Sequence, residues 1–304
     1  MDYLPLVFNI LLLLFWVRLW SAPDREFYFN PFLSGTVRMT DSALAFLRPV
    51  LNLPDRGAAL LVILFVVAFK TVVLGRLNVP WTLSFGIDFL FAPAATATAT
   101  PWKMQFLYSM FHFASFLFKF WCVCLIVKFI TPSQHPTRAS EALDFFARPF
   151  SFLPLLLQPV VLAVLHVALA FAVTRTGVLN MTNPLTQETK LIAVSPFLSG
   201  PLFAQLLKTG WLAALSMADG FALLIRALFV LIIGNLAAAV FQVQSLLIIC
   251  NEGVELLMGR FARNRAMAGM GLDFTPLIFF FVVDMVYRGI CLGLENLINS
   301  PFFN

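Results

Sequence analysis

"RGAALLVILFVV" (residues 56–67) decides which solvent this chain folds in. Past Arg56 it offers water no charged or hydrogen-bonding side chain. The apolar run of which it is part covers 57–75, long enough as a helix to cross a hydrocarbon core about 30 Å thick. Similar windows recur at 4–20, 104–127, 155–173, 219–241 and 276–294. Hydrophobic residues make up 61% of the chain and charged residues 12%, against roughly 25% charged in soluble domains. The mean hydropathy is +0.91, and the 35 phenylalanines are more than a soluble core of this length could bury. These features predict an all-α polytopic membrane protein with about six transmembrane helices.

The ends of the first window predict a retained span rather than a cleaved leader. Asp2 stands where a basic segment is usual, and the run closes at Arg18 and Trp20 without a small-residue cleavage site. The four cysteines (122, 124, 250 and 291) have neither CxxC nor Cys/His ligand spacing, so no metal site or disulfide framework is expected. The net charge of +5 fits a basic membrane face. No Lys/Arg cluster is interleaved with aromatics, so nothing indicates nucleic-acid binding.

Between the spans the sequence repeats. "DSALAFLRPVLNLP" (41–54) and "EALDFFARPFSFLP" (141–154) share Phe, Arg-Pro and Leu-Pro at matching positions, one hundred residues apart. A looser copy, "NEGVELLMGRFARNRAMAGMGLDFTP", covers 251–276. Each copy follows one apolar span and precedes another, the order expected of an internal repeat. Three hairpins are therefore predicted, with units at 1–76, 104–174 and 216–304. Linkers at 77–103 and 175–215 separate them. "WTLSFGIDFLFA" (81–92) is too short to span and reads as interfacial or re-entrant. The segment 191–215, broken by Pro196, Gly200 and Pro201, reads either as a re-entrant hairpin or as a seventh crossing.

Within each unit a short amphipathic helix is predicted, at 39–51, 138–150 and 246–262. In the second, Glu141, Asp144 and Arg148 take one face while Leu143, Phe146 and Phe150 take the other. Acids come early and arginines late, as the helix dipole favours. Such helices suit the membrane interface, where Arg48, Arg148, Arg260, Arg263 and Arg265 are candidates for gripping anionic lipid or an acidic partner. The entry to the last span, Gly271-Leu272-Asp273-Phe274-Thr275-Pro276, reads as a helix start. Thr275 serves as N-cap and Pro276 takes the first helical position, with Asp273 at the positive helix end. Asp55 holds the corresponding place in the first unit.

This arrangement resembles the YggT family of small integral membrane proteins. Their repeat has a span, an amphipathic segment ending in Arg-Pro, and a Gly-Asp-x-Ser/Thr-Pro entry to a second span. Here the Arg-Pro element is Arg48-Pro49 and Arg148-Pro149, the entry motif is Gly271 to Pro276, and "LLIRALFVLIIGNL" (223–236) looks like the family's first span. The third copy lacks a proline after Arg260, and the second lacks the Asp entry. The resemblance implies a scaffold or assembly factor working through protein and lipid contacts. Relatives are tied to envelope and cell-division loci and, in plastids, to cytochrome assembly and nucleoid organisation. Relatives have also been given a role in osmotic stress, which makes transport the alternative.

Charges inside the windows are the remaining signal. Lys119, His166, Arg226, Asp284 and Arg288 lie at or near hydrocarbon depth, where each ion costs about 2.5–3.5 kcal/mol on insertion scales and so needs a partner. Arg226 and Asp284 are predicted to meet across the third hairpin. Among three histidines, His135 is in a loop and His112 and His166 are in spans. No HExxH, GxSxG or phosphate-binding motif accompanies them. Neither catalysis nor a cofactor is expected. Basic residues concentrate in the loops inside the units (Arg25, Arg38, Arg138 and the arginines above). That bias puts those loops in the cytoplasm of a cell membrane and both termini outside.

Overall fold

A computed structural model describes residues 3–20, 30–51, 54–77, 83–86, 89–93, 102–131, 138–175, 179–182, 202–259, 261 and 275–298. The chain is predominantly α-helical. Its helices are α1 (Tyr3–Trp20), α2 (Pro31–Leu51), α3 (Asp55–Arg76), α4 (Trp102–Ile130), α5 (Arg138–Phe146), α6 (Gln158–Arg175), α7 (Leu202–Val240), α8 (Gln244–Met258) and α9 (Thr275–Ile298). A 3-10 turn, Phe150–Phe152, follows α5. Among the described residues five helices are long and apolar enough to cross a membrane, namely α3, α4, α6, α7 and α9, and α1 is a shorter apolar helix.

Local sequence accounts for most boundaries. Pro54 is extended and its carbonyl accepts from the Ala58 N–H, so α3 begins at Asp55 with a carboxylate in its first turn and ends with Arg76 in its last. The second amphipathic helix ends at Phe146, earlier than its predicted limit of 150, because Pro149 cannot donate to the helical ladder. The last span starts at Thr275 itself, one residue before the predicted first position, with Pro276 inside the first turn.

The long helix α7 departs from the sequence reading. Residues 202–240 form one helix of 39 residues, so the predicted boundary at 215/216 falls within continuous helix, while the expected breaks at Pro196, Gly200 and Pro201 lie outside the described residues. After Pro201 no proline interrupts the segment, and Gly210, Gly220 and Gly234 need no positive φ. At a rise of 1.5 Å per residue α7 is about 58 Å long, almost twice the hydrocarbon thickness of roughly 30 Å. It packs against α4, α6, α8 and α9, while α1 packs mainly against α3 and α3 against α4.

The linkers hold an element the composition did not announce. Strands β1 (Leu83–Phe85), β2 (Phe89–Pro93) and β3 (Leu179–Thr182) form an antiparallel sheet in the order β1-β2-β3. Leu83 pairs with Phe91 and Phe85 with Phe89, while Leu90 faces Thr182 on β3. The two predicted linkers are therefore hydrogen-bonded to each other. Leu83 and Phe85 are buried among side chains of α3, α4, α6 and α7. The alternation of "LSF" explains this, because its two apolar side chains share one face.

The amphipathic helices form a layer of their own. α5 packs against both α2 and α8. Leu33 and Val37 of α2 meet Ala142, Phe145 and Phe146 of α5, and the Asn30 amide donates to the Arg138 carbonyl at 2.8 Å. Ion pairs tie the first two helices to the ends of preceding apolar helices. Arg18 of α1 holds Asp41 of α2 at 2.6 Å, and Lys128 of α4 holds Asp144 of α5 at 2.8 Å. At α8 the tie is neutral, from Asn235 of α7 to Asn251 at 2.8 Å.

Glycine decides how closely α4 and α7 approach. A Cβ on Gly220 would lie 2.7 Å from the Cys122 Cβ, whereas one on Gly210 would meet nothing within 4 Å. Gly220→Ala is therefore expected to cost about 1–3 kcal/mol by overpacking. Gly210→Ala should stay within about 0.5 kcal/mol of the parent. Thermal unfolding in one detergent compares the two, and equal losses would contradict the close approach.

Candidate functional site

A buried polar cluster centres on Asp219. It lies on α7, about 25 Å along the helix from Leu202 at 1.5 Å per residue, and Lys119 sits at a similar depth on α4. Their side chains form an ion pair of 2.8 Å with exposures of 11% and 4%. Each ion also binds backbone of the β-hairpin. The Lys119 ammonium donates to the Ser84 carbonyl at 2.6 Å and contacts its hydroxyl at 3.1 Å. Asp219 Oδ1 accepts from the Gly86 N–H and from the Tyr287 hydroxyl of α9, both at 3.0 Å.

Chemistry explains the arrangement. A hairpin inserted among membrane helices exposes carbonyl and amide groups that no helical ladder satisfies, and hydrocarbon offers them nothing. Here a cation takes the carbonyl and an anion takes the N–H, while each ion neutralises the other. Gly86 has φ +76°, and a Cβ there would meet Glu295 Oε1 and Leu215 Cδ2 at 2.9 Å. Only glycine fits both the conformation and the space. Glu295, buried near the end of α9, brings a second carboxylate to the same turn.

Two further groups flank this centre. His166 of α6 is fully buried, with Nδ1 2.9 Å from the Ser216 hydroxyl of α7 and Nε2 3.5 Å from Cys122 Sγ of α4. Its ring meets Phe118 edge-on. In the N-terminal half Lys70 of α3 is fully buried and donates to Asn9 Oδ1 of α1 at 2.8 Å, with His112 Nδ1 of α4 at 3.0 Å. Among the described residues Lys70 has no carboxylate within ion-pair distance. No group of His, Cys, Asp and Glu arranged to hold a metal occurs among the described residues either.

The residues singled out from sequence divide accordingly. Lys119 and His166 belong to the buried cluster, joined through Cys122 and its neighbours on α4. Asp284 pairs with Arg288 on its own helix at 2.8 Å, and Arg226 has no ion pair among the described residues, so the predicted meeting of Arg226 with Asp284 is replaced by a local i,i+4 pair. Arg148 stacks its guanidinium 3.9 Å from the Phe145 ring centroid and 5.1 Å from that of Phe152. It lines a groove of about 270 Å³ with Glu141, Asp144 and Ser151, and its carbonyl accepts from Trp16 Nε1 at 2.9 Å. Asp55, Thr275 and Pro276 stand in the first turns of α3 and α9. The Arg48 side chain, Arg260, Arg263, Arg265, Gly271 and Asp273 lie outside the described residues.

Sequence reasoning missed Asp219, Ser216, Tyr287 and Lys70. A usable signal existed: Asp219 is the sole acid between 202 and 240, and Lys70 the sole charge between 57 and 75. Starting the span at 219 put Asp219 at its edge, whereas the helix carries it to the middle. No known protein family, characterised protein or solved structure matches the chain.

An ordinary buried ion pair can be replaced by apolar residues with little loss, while removing one partner costs about 3–5 kcal/mol. Lys119 and Asp219 are expected to behave differently, because the hairpin backbone depends on both. Lys119→Met with Asp219→Leu should remain at least as destabilised as either single variant. Recovery of stability in the double variant would reduce the pair to a replaceable packing feature.

Proposed function

We propose that the chain is an integral membrane scaffold or assembly factor that works through protein and lipid contacts at the membrane interface. What supports this reading is the closure of the polar interior. Asp219, Lys119, Ser84 and Tyr287 bind one another and the hairpin backbone, which suits a rigid support. Outward-turned charges sit on the amphipathic layer as well, where Arg148 lies in an open groove beside Glu141 and Asp144. The contiguity of α2, α5 and α8 favours placing all three at one face of a cell membrane. In this reading α1 is the sixth span, the three hairpins are α1–α3, α4–α6 and α7–α9, and both termini lie outside. The short YggT-like motifs point the same way.

One observation favours membrane transport or ion homeostasis as a second reading. Lys70 is buried against Asn9 and His112 with no carboxylate in ion-pair distance among the described residues, and intramembrane ions of this kind often mark solute or proton paths.

Two measurements separate the readings. Photo-cross-linkers placed at Met39 and Phe152, both exposed on the amphipathic layer, are expected to give discrete protein adducts in native membranes. The adducts should fall several-fold in an Arg48→Lys/Arg148→Lys variant, since lysine keeps the charge but loses the planar guanidinium. Saturable solute flux in proteoliposomes, abolished by Lys70→Met in a folded protein, would overturn the scaffold reading in favour of transport.

A further inference from the structure

The outer wall formed by α7 and α9 carries charges where lipid alone would surround them. Only 11% of the apolar window of α9 is buried, against 50% for α3 and 56% for α4. Near the middle of this exposed helix the Arg288 side chain is 66% exposed and its partner Asp284 28%. Arg288 is roughly 15 Å of helix from the nearer end of α9, farther than one side chain can snorkel to the interface.

Arg226 lies on the same wall. Phe229 of α7 packs on Phe280 of α9 at 5.9 Å between ring centroids, and Asp219 meets Tyr287 at 3.0 Å. Arg226, between those two levels, is thus within one helical turn of Asp284 in height. It is exposed and has no ion pair among the described residues. The wall therefore holds two arginines and one aspartate. Beside them, Gly289 and Gly293 leave open space, with nothing within 4 Å of a Cβ at either position. One turn apart, they let a foreign backbone come close.

We propose that the α7/α9 wall docks a transmembrane helix of another protein, one that carries a single carboxylate at mid-membrane depth to pair with Arg226. The inference rests on the scaffold reading and supplies the chemistry of its partner. Charge complementarity selects the occupant. A second copy of this chain would bring two more arginines with only one more aspartate and so enlarge the positive surplus. Lipid headgroups do not reach mid-membrane. An acidic helix cancels the surplus and converts an exposed ion into a buried pair.

The test uses the full chain in phosphatidylcholine vesicles with labelled polyleucine transmembrane peptides bearing Glu, Gln or Leu at the centre. Energy transfer is expected to show the Glu peptide binding about tenfold tighter than the other two, the size of one interhelical polar contact. Arg226→Gln should reduce Glu to the level of Gln, and Gly289→Leu with Gly293→Leu should weaken binding several-fold. Circular dichroism and thermal unfolding confirm that these surface variants fold. Equal binding of the three peptides, a Glu preference that survives Arg226→Gln, or self-association of the chain that excludes the peptide would each overturn the proposal. Loss of the Glu preference with the Arg148-dependent adducts intact removes this inference and leaves the scaffold reading standing. Loss of those adducts with the Glu preference intact does the reverse.

Discussion

The ion pair between Lys119 and Asp219 is what permits a β-hairpin to lodge inside a bundle of membrane-length helices. Backbone outside a helix or a closed barrel survives at that depth only when protein satisfies it. Lys119 supplies the donor for the Ser84 carbonyl and Asp219 the acceptor for the Gly86 N–H. α4, α7, the hairpin and, through Tyr287, α9 all meet at this pair, beside the apolar cores that the helices share. Gly220 lets α4 and α7 approach closely enough for the contact. The cost of burying two ions is offset by mutual attraction and by the hydrogen bonds that Lys119 and Asp219 Oδ1 make, the condition under which a buried pair is tolerated.

The protein uses charge in three distinct ways, separated by depth and direction. Inside, Asp219 and Lys119 organise backbone. At the helix ends, Arg18–Asp41 and Lys128–Asp144 fasten amphipathic helices onto the bundle. On the outer wall, Arg226 and Arg288 face away from the core. In the helix-end pairs one partner stays exposed, Asp41 at 37% and Asp144 at 54%, although Arg18 itself is buried. The exposed members of the outer two sets, Asp41, Asp144, Arg226 and Arg288, are accessible to lipid or to other proteins, which is why recognition is assigned to them and rigidity to the first.

How much of this could be read from the sequence depended on the range of the interaction responsible. Apolar windows such as 57–75 announce their helices because hydrocarbon acts on every residue of them. The early end of α5 follows from Pro149, and the unbroken α7 from the lack of proline after Pro201, both local facts. The hairpin could not be read this way. "LSFG" is too short to declare itself, and its anchors lie 35 and 133 residues away in sequence. The same limit hid Asp219, whose importance comes from the groups it meets across the bundle. Conversely, the expected Arg226–Asp284 contact invoked a distant partner where a local one, Arg288, was available one helical turn on.

Hydrogen exchange at the Gly86 amide tests the central claim most directly. In a lipid nanodisc the account predicts an amide as slow to exchange as the mid-helix amides around Lys119. It should stay slow in Asp219→Asn, which keeps an acceptor oxygen, and become fast in Asp219→Leu. Exchange of the Gly86 amide within seconds in the parent protein, at the rate of an exposed loop, would contradict the seating of the hairpin on Lys119 and Asp219.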